Sequence, residues 1–560
     1  MKVAEVVVRI LESEGIEAAF GIPGAAINPV YEYLSTSSQI KHYLARHEEG
    51  AVHAADGYFR AKGQMAMAIC TSGPAATNFV TGLYTAQIDS IPLIAITGQN
   101  VRAQLGKEAF QCVDIATIAK PVCKATWCIT EPNQVPAVLR QAFWTAREGR
   151  PGPVLIDLPL DVQMADIPYH PEADAPLPIV QPAPNLQQID RAVDLLLAAQ
   201  NPVLIMGGGV LLAKACDQFI EFAEYLALPV ITTYMGTGGI PANHPLHVGH
   251  IGIQVGTPFG NRFFLNSDLV MGIGCRFSDR HTGKLDVYTR ERKFIHIDIE
   301  PSHIGRTVPV ELGIVADAKL AIEALLGAAR TKTDRRLPLT RVQAIPQDRE
   351  RLARKTDYAQ IPIRPQRVYQ AINEYFCKDT IFTTGCGLTQ IWSGQFQSIA
   401  KPATYLASGG AGTLGYDLPA AIGAKIACPE ATVVAVMGDG GFQFTMEELA
   451  MACQHQIPII VIIINNGYLS LIRQNQRYAY EYEYAVDLTY ETATKQRGLD
   501  FVRLAEAFGA YGERITQPDE LRPAFERAVQ VGKPAVLDII VEREANASMG
   551  IALDAIREFA

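Results

Sequence analysis

Ile457–Ile464 is a run of isoleucine and valine broken only by Pro458, and it ends at Asn465–Asn466. Apolar side chains on consecutive residues mark a strand buried on both faces, the condition of a parallel sheet covered by helices. A chain with such a strand has to build helical layers around it. Ahead of the run stands Gly438-Asp439-Gly440-Gly441. Asp439 and Asn466 carry hard oxygen donors of the kind Mg²⁺ prefers. The glycines around Asp439 let backbone N–H groups come close to a phosphate. Open α/β sheets bind ligands at the carboxyl ends of their strands, where Asn466 falls. The segment predicts a metal–diphosphate site; a glycine turn and a strand-end asparagine pair is the plainer alternative.

The 560 residues exceed one core, and two segments read as linkers. Pro168–Pro184 repeatedly forbids helix continuation, and a charged stretch runs from about Thr331 to Pro365. Domains are expected at 1–165, 185–330 and 360–545, with a tail at 546–560. Short apolar strands alternate with helical stretches in each part, as in NPVLIMGGGV, KFIHIDIEP, TVVAVMGDG and IPIIVIIINN. The expected class is α/β, with three doubly wound parallel-sheet domains.

A net charge of −9 without a run of Lys and Arg disfavours nucleic acid. Ten cysteines without a CxxC pair argue against a zinc ribbon or redox dithiol; they suit a reducing cytosol, so a cytoplasmic location is expected. The N-terminal MKVAEVVVRILESEG has the outline of a signal sequence, but Glu5, Arg9, Glu12 and Glu14 interrupt it. It predicts an amphipathic helix ending at Gly15. No membrane association is expected, because the apolar run is too short to span one.

Leu44–Gly63, LARHEEGAVHAADGYFRAKG, superficially resembles a zinc-binding HExxH motif. His47 and His53 are six apart and do not share a helix face. The residues alone leave open a solvated helix start, with Glu48 and Glu49 favoured by the helix dipole. Glycines at MGGGV and GIGCRF are weak evidence for a dinucleotide.

Taken together, the GDG, intervening helix, strand and NN spacing resembles the signature of thiamine-diphosphate enzymes. The RHEEGAVHAADGYFR segment is similar to the acetohydroxyacid synthase and glyoxylate carboligase branch, and the resemblance covers essentially the whole chain. It implies a pyrimidine-binding domain, a central FAD-binding-like domain and a diphosphate-binding domain. Asp439, Asn466 and the Tyr468 carbonyl would hold Mg²⁺. Gly387, Leu388, Thr389, Gly438, Gly440 and Gly441 would contact the diphosphate. Gly409, Gly410 and Gly412 would contact the aminopyrimidine, and Leu414 would wedge the cofactor into its bent shape. Glu48 would exchange a proton with N1′ of the aminopyrimidine. FAD, in a structural role, would meet Arg150, Gly207, Gly208, Gly209, Arg276, Arg280, Asp298 and Asp317.

Within the branch the pattern is nearest to glyoxylate carboligases: FGIPGAAINPVY, RFSDRHTG, NNGYLSLIRQNQ and the tail EREANASMGIALD carry it. Asn475 stands where acetohydroxyacid synthases usually place a Trp. Phe110 and Gln111 are expected near the acceptor. One departure is Glu48 itself, since known glyoxylate carboligases can have an apolar residue there. The implied reaction is decarboxylation of glyoxylate and condensation with a second glyoxylate to tartronate semialdehyde. Acetolactate formation from pyruvate, a flavin-dependent 2-oxoacid oxidase and a catalytically dead homologue are the alternatives. The family pattern implies a homo-oligomer, with a dimer as the minimal unit and a tetramer expected.

Overall fold

The computed structural model describes residues 1–490 and 498–559. Among them the chain forms three six-stranded, all-parallel sheets. The first contains β1 (Ala18–Gly21), β2 (Lys41–Leu44), β3 (Met67–Cys70), β4 (Ile94–Gln99), β5 (Ala125–Cys128) and β6 (Val154–Pro159), in the order β2-β1-β3-β4-β6-β5. The second contains β7 (Pro202–Met206), β8 (Val230–Thr232), β9 (His247–His250), β10 (Leu269–Ile273), β11 (Lys293–Asp298) and β12 (Leu312–Val315). Its order is β12-β11-β10-β7-β8-β9. The third contains β13 (Ile381–Thr384), β14 (Tyr405–Ala407), β15 (Val433–Gly438), β16 (Ile460–Asn465), β17 (Tyr511–Ile515) and β18 (Ala535–Ile540), in the order β14-β13-β15-β16-β18-β17. The expected α/β class with three doubly wound parallel sheets is what the chain adopts.

The first and third sheets have the same strand order, read in sequence as 2-1-3-4-6-5. The second has the doubly wound dinucleotide order, reversing between β7 and β10. β16 is buried at all six positions, as its unbroken apolar run requires, and begins after Pro458, which lacks the N–H a central strand needs.

Small residues in the Glu48–Lys62 helix let it pack directly on the Asp417–Ala427 helix of the third domain. A Cβ on Gly57 would fall 2.2 Å from the Ala420 carbonyl, and one on Gly423 would fall 1.9 Å from the Ala54 carbonyl. One apolar cluster accordingly runs through both outer domains, from Ala51 and Phe79 to Leu418 and Ile463.

The N-terminal amphipathic helix is Val3–Ser13, with Gly15 at φ 82°. The 331–365 segment is more ordered than a linker: it carries helices Thr340–Gln343 and Ile345–Arg351, and Val342 and Ile345 are buried in the central core. Among the described residues no helix is long and apolar enough to cross a membrane.

Candidate active site

Two loops meet at the switch point of the third sheet, between β13 and β15. A Cβ added to Gly387 or to Gly438 would lie 3.6 Å from Thr389 Oγ1, so both glycines border one space. Gly387, at φ 111°, starts the Leu388–Phe396 helix, and Gly438 starts the Asp439–Phe442 turn of helix; neither start has a side-chain cap. Helix starts of this kind present N–H groups that suit an anion. A Cβ on Gly441 would meet nothing within 4 Å, whereas one on Gly440 would meet Leu469 Cδ2 at 2.9 Å. Gly441 therefore has open space beside it, whereas Gly440 is packed against Leu469.

The metal-ligand candidates converge beside this cradle. Asp439 is 4 % exposed, and its Oδ2 accepts from Gly467 N at 3.0 Å. Burial pushes its carboxyl up to about 7, against the opposing pull of the Gly467 amide. The Ser470 hydroxyl donates to Asn466 Oδ1 at 2.8 Å and lies 3.2 Å from the Tyr468 carbonyl. One hydroxyl thus gathers two of the three expected oxygens, and Gly467, between them, touches the third residue. No group of three His, Cys, Asp or Glu side chains among the described residues could hold a metal. A carboxylate, a carboxamide and a carbonyl form a hard donor set suited to Mg²⁺ rather than zinc. A buried carboxylate with a raised pKa and no basic partner among the described residues fits a cation at this position.

Glu48 opens the Glu48–Lys62 helix and is 8 % exposed, which excludes the solvated helix start. Asn78 Nδ2 donates to its Oε2 at 2.8 Å. His47, the preceding residue, caps the helix through Nδ1, which accepts from Glu49 N at 3.2 Å. His53 is buried 3.4 Å from Glu49 Oε1. Glu448 was not legible in the sequence. It is fully buried, and its Oε1 accepts from Arg46 N at 3.0 Å and His47 N at 2.8 Å. The third domain thereby holds the loop that delivers Glu48. Burial pushes the Glu448 carboxyl up to about 7.

Gly412, at φ 65°, approaches the cradle: its Cβ would lie 3.5 Å from Cys386 Sγ. Leu414 is half-buried two residues on. Phe110 is 85 % exposed and Gln111 is exposed at φ 56°, packed against Gly73, so this chain alone does not bring them to Asp439.

The central domain contains a cavity of about 630 Å³ at the carboxyl ends of β7 and β10. Arg150, Gly208, Gly209, Arg276, Arg280, Asp298 and Asp317 all line it, together with Gly409 and Gly410. Gly207 does not: its Cβ would fall 2.0 Å from the Gly274 carbonyl, so it permits two backbones to cross. Asp317 also caps the Ala318–Lys332 helix through Leu320 N at 3.1 Å. Burial, then the nearby Arg276 charge, holds the Arg150 guanidinium below its ordinary value. Clustered arginines, a volume within the ordinary range for ligand pockets and the switch-point position together fit an anionic dinucleotide.

Duplicate outer sheets, a diphosphate cradle and a dinucleotide-type centre define a cofactor-dependent α/β enzyme. Residues 1–118, 189–325 and 385–539 match the N-terminal TPP binding domain, the central domain and the C-terminal TPP binding domain of thiamine pyrophosphate enzymes. Glyoxylate carboligase of Escherichia coli O157:H7 is 46 % identical, covering 100 % of this chain and 96 % of its own length. The acetolactate synthase large subunit of Corynebacterium glutamicum is 40 % identical over 97 % of this chain and 87 % of its own. Acetolactate synthase isozyme 3 large subunit of Escherichia coli K12 is 38 % identical over 94 % and 92 %. The chain belongs to the thiamine pyrophosphate enzyme family, in the branch of these carboligases and synthases.

Proposed function

We propose that the chain is a thiamine-diphosphate- and Mg²⁺-dependent carboligase that converts two molecules of glyoxylate into tartronate semialdehyde and CO₂. Thiamine diphosphate, when bound, supplies a thiazolium carbon that attacks the 2-oxoacid carbonyl and accepts the electrons left by CO₂. The chain's residues position and protonate. Asp439, Asn466 and the Tyr468 carbonyl hold the metal, and the N–H groups around Gly387 and Gly438 hold the diphosphate. Glu48, oriented by Asn78, holds the proton exchanged at N1′ of the aminopyrimidine. Leu414, half-buried beside Gly412, would pack against the cofactor and help to orient it. FAD in the central cavity serves as a structural ligand, held through Arg150, Arg276 and Arg280. A homodimer is the smallest active unit: the exposure of Phe110 and Gln111 fits a site completed by a second copy.

The observation that supports glyoxylate is Asn475. It is a short polar residue, exposed at the end of the Ser470–Asn475 helix that follows the metal loop. At the acceptor position that the family pattern implies, it would leave a small polar acceptor both room and a hydrogen-bond partner. The full-length similarity to a glyoxylate carboligase points the same way. A second reading, acetolactate synthesis from pyruvate, is favoured by Glu48, the residue expected in the pyruvate-using branch. The substrates differ by one methyl, which an apolar pocket discriminates by only about 1–3 kcal/mol. Competition between equal glyoxylate and pyruvate separates the readings. Tartronate semialdehyde is the expected main product, and dominant acetolactate would replace the first reading with the second. Carboligation retained with 5-deaza-FAD is expected; its loss with the analogue bound would favour a flavin-dependent oxidase.

A further inference from the structure

The loop Gly409–Leu414 has two faces. Gly412 borders the Cys386–Gly387 side of the cradle, while Gly409 and Gly410 form part of the central cavity wall. Asp89, from the first domain, clamps the cavity face. Its carboxylate accepts from Gly410 N at 2.9 Å and Gly409 N at 3.2 Å. Arg60 donates to the same carboxylate at 3.1 Å and is itself fixed by Asp56 at 2.6 Å and the Ala407 carbonyl at 2.9 Å. Arg276 stands 3.9 Å from Asp89 Oδ1, with its side chain partly open to the cavity. Arg280 reaches the loop as well, donating to the Gly409 carbonyl at 3.3 Å.

We propose that Asp89 is a positioning residue that couples occupancy of the central cavity by an anionic dinucleotide to thiamine diphosphate binding, through the Gly409–Leu414 loop. The inference rests on the flavin reading given above and adds a route between the two cofactors. Asp89 divides one carboxylate among Arg60, Arg276 and two glycine amides. A diphosphate in the cavity competes for Arg276 and leaves Asp89 to Arg60 and the amides. Charge-assisted hydrogen bonds to the loop then strengthen. The loop is ordered before thiamine diphosphate arrives, so the second ligand bears less of the ordering cost. The coupling is therefore positive, and by linkage each cofactor raises the affinity of the other by the same factor.

The test uses the full-length chain stripped of both cofactors and titrated calorimetrically with thiamine diphosphate and Mg²⁺, with and without saturating FAD. The unmodified chain is expected to bind thiamine diphosphate roughly 5–150-fold more tightly when FAD is present. Asp89→Asn keeps the side-chain shape but loses the charge and one acceptor. It should bring that factor close to unity while each cofactor still binds alone. Gly410→Ala, whose Cβ would fall 2.6 Å from Asp89 Oδ1, should wedge the clamp open and likewise bring the factor close to unity, whatever it does to either affinity by itself, and serves if Asp89→Asn does not fold. No coupling in the unmodified chain, or an unchanged factor in both variants, overturns the proposal. Equal weakening of both cofactors with the factor retained also overturns it, because that is the signature of a purely structural role. An unmodified chain that binds no FAD overturns the flavin reading and the coupling with it; FAD binding without coupling overturns only the coupling.

Discussion

Asn78 donates its side-chain amide to Glu48 Oε2 across 2.8 Å, tying the Pro74–Asp89 helix to the first residue of the Glu48–Lys62 helix. Asn78 is a neutral donor, so this contact orients the carboxylate without pairing it to a cation. An arginine or lysine in the same place would stabilise the ionised form and oppose proton uptake.

Glu48→Gln should therefore slow hydrogen–deuterium exchange at C2 of bound thiamine diphosphate by about 10²–10⁴-fold. Asn78→Ala leaves the carboxylate but frees its orientation, so the slowing should be smaller, with thiamine diphosphate affinity little changed. Quenched-flow NMR reads both rates. An unchanged rate in Glu48→Gln would remove Glu48 from the proton exchange.

At the metal, Asp439→Ala should abolish Mg²⁺-dependent retention of thiamine diphosphate while leaving far-UV circular dichroism intact. Ser470→Ala removes the hydroxyl that gathers Asn466 Oδ1 and the Tyr468 carbonyl. Loss of such an outer support should weaken Mg²⁺ by about 10–100-fold. Equilibrium dialysis with Mg²⁺ measures both variants; full retention in Asp439→Ala would refute the metal assignment.

Glu448 yields a pH prediction. Burial raises its folded pKa from 4.5 to about 7, so the folded state holds a proton that the unfolded chain has released across that interval. The stabilisation is complete below pH 4.5 and is lost as pH rises through 7. The loss is on the order of 3 kcal/mol. Glu448→Gln keeps an acceptor for the Arg46 and His47 amides and cannot ionise. Its urea midpoint, relative to the unmodified chain, should rise between pH 5 and pH 8; a constant difference would show that Glu448 does not titrate in that range.

The interlocking helices give a fourth prediction. A methyl on Gly57 or Gly423 would overlap backbone carbonyl oxygen across the helix pair. Overpacking of this kind costs about 1–3 kcal/mol, and backbone on both sides leaves little room to relax. Gly57→Ala and Gly423→Ala should each lower the denaturant midpoint, whereas Gly327→Ala, with nothing within 4 Å, should not.

What the sequence made legible follows from how local each feature is. The parallel-sheet class was readable from β16 because its short apolar run is made of β-branched Ile and Val and is bounded by Pro458 and an Asn pair, the pattern of a strand buried on both faces. Asp439 and Asn466 were readable because fixed short segments carry them. β5, with three half-buried positions and one exposed, offered no comparable run. Ser470 was unreadable because a serine after a strand carries no pattern of its own. Asn78 meets Glu48 from 30 residues away, Asp89 meets Gly409 from 320, and Glu448 meets Arg46 from 402. Those contacts exist only once the domains are packed. Gly207 shows the converse error: three consecutive glycines looked equivalent, yet only Gly208 and Gly209 line the cavity.

The matched outer sheets have one further consequence. They meet through equivalent glycines, Gly57 against Ala420 and Gly423 against Ala54. Two separate molecules meeting on such surfaces would form a dimer whose population falls on dilution. Within one polypeptide the partner is always present at high effective concentration. Dilution can therefore dissociate one chain from another but cannot part the Glu48 loop from Glu448, and each protomer enters any assembly with its two outer halves already in register.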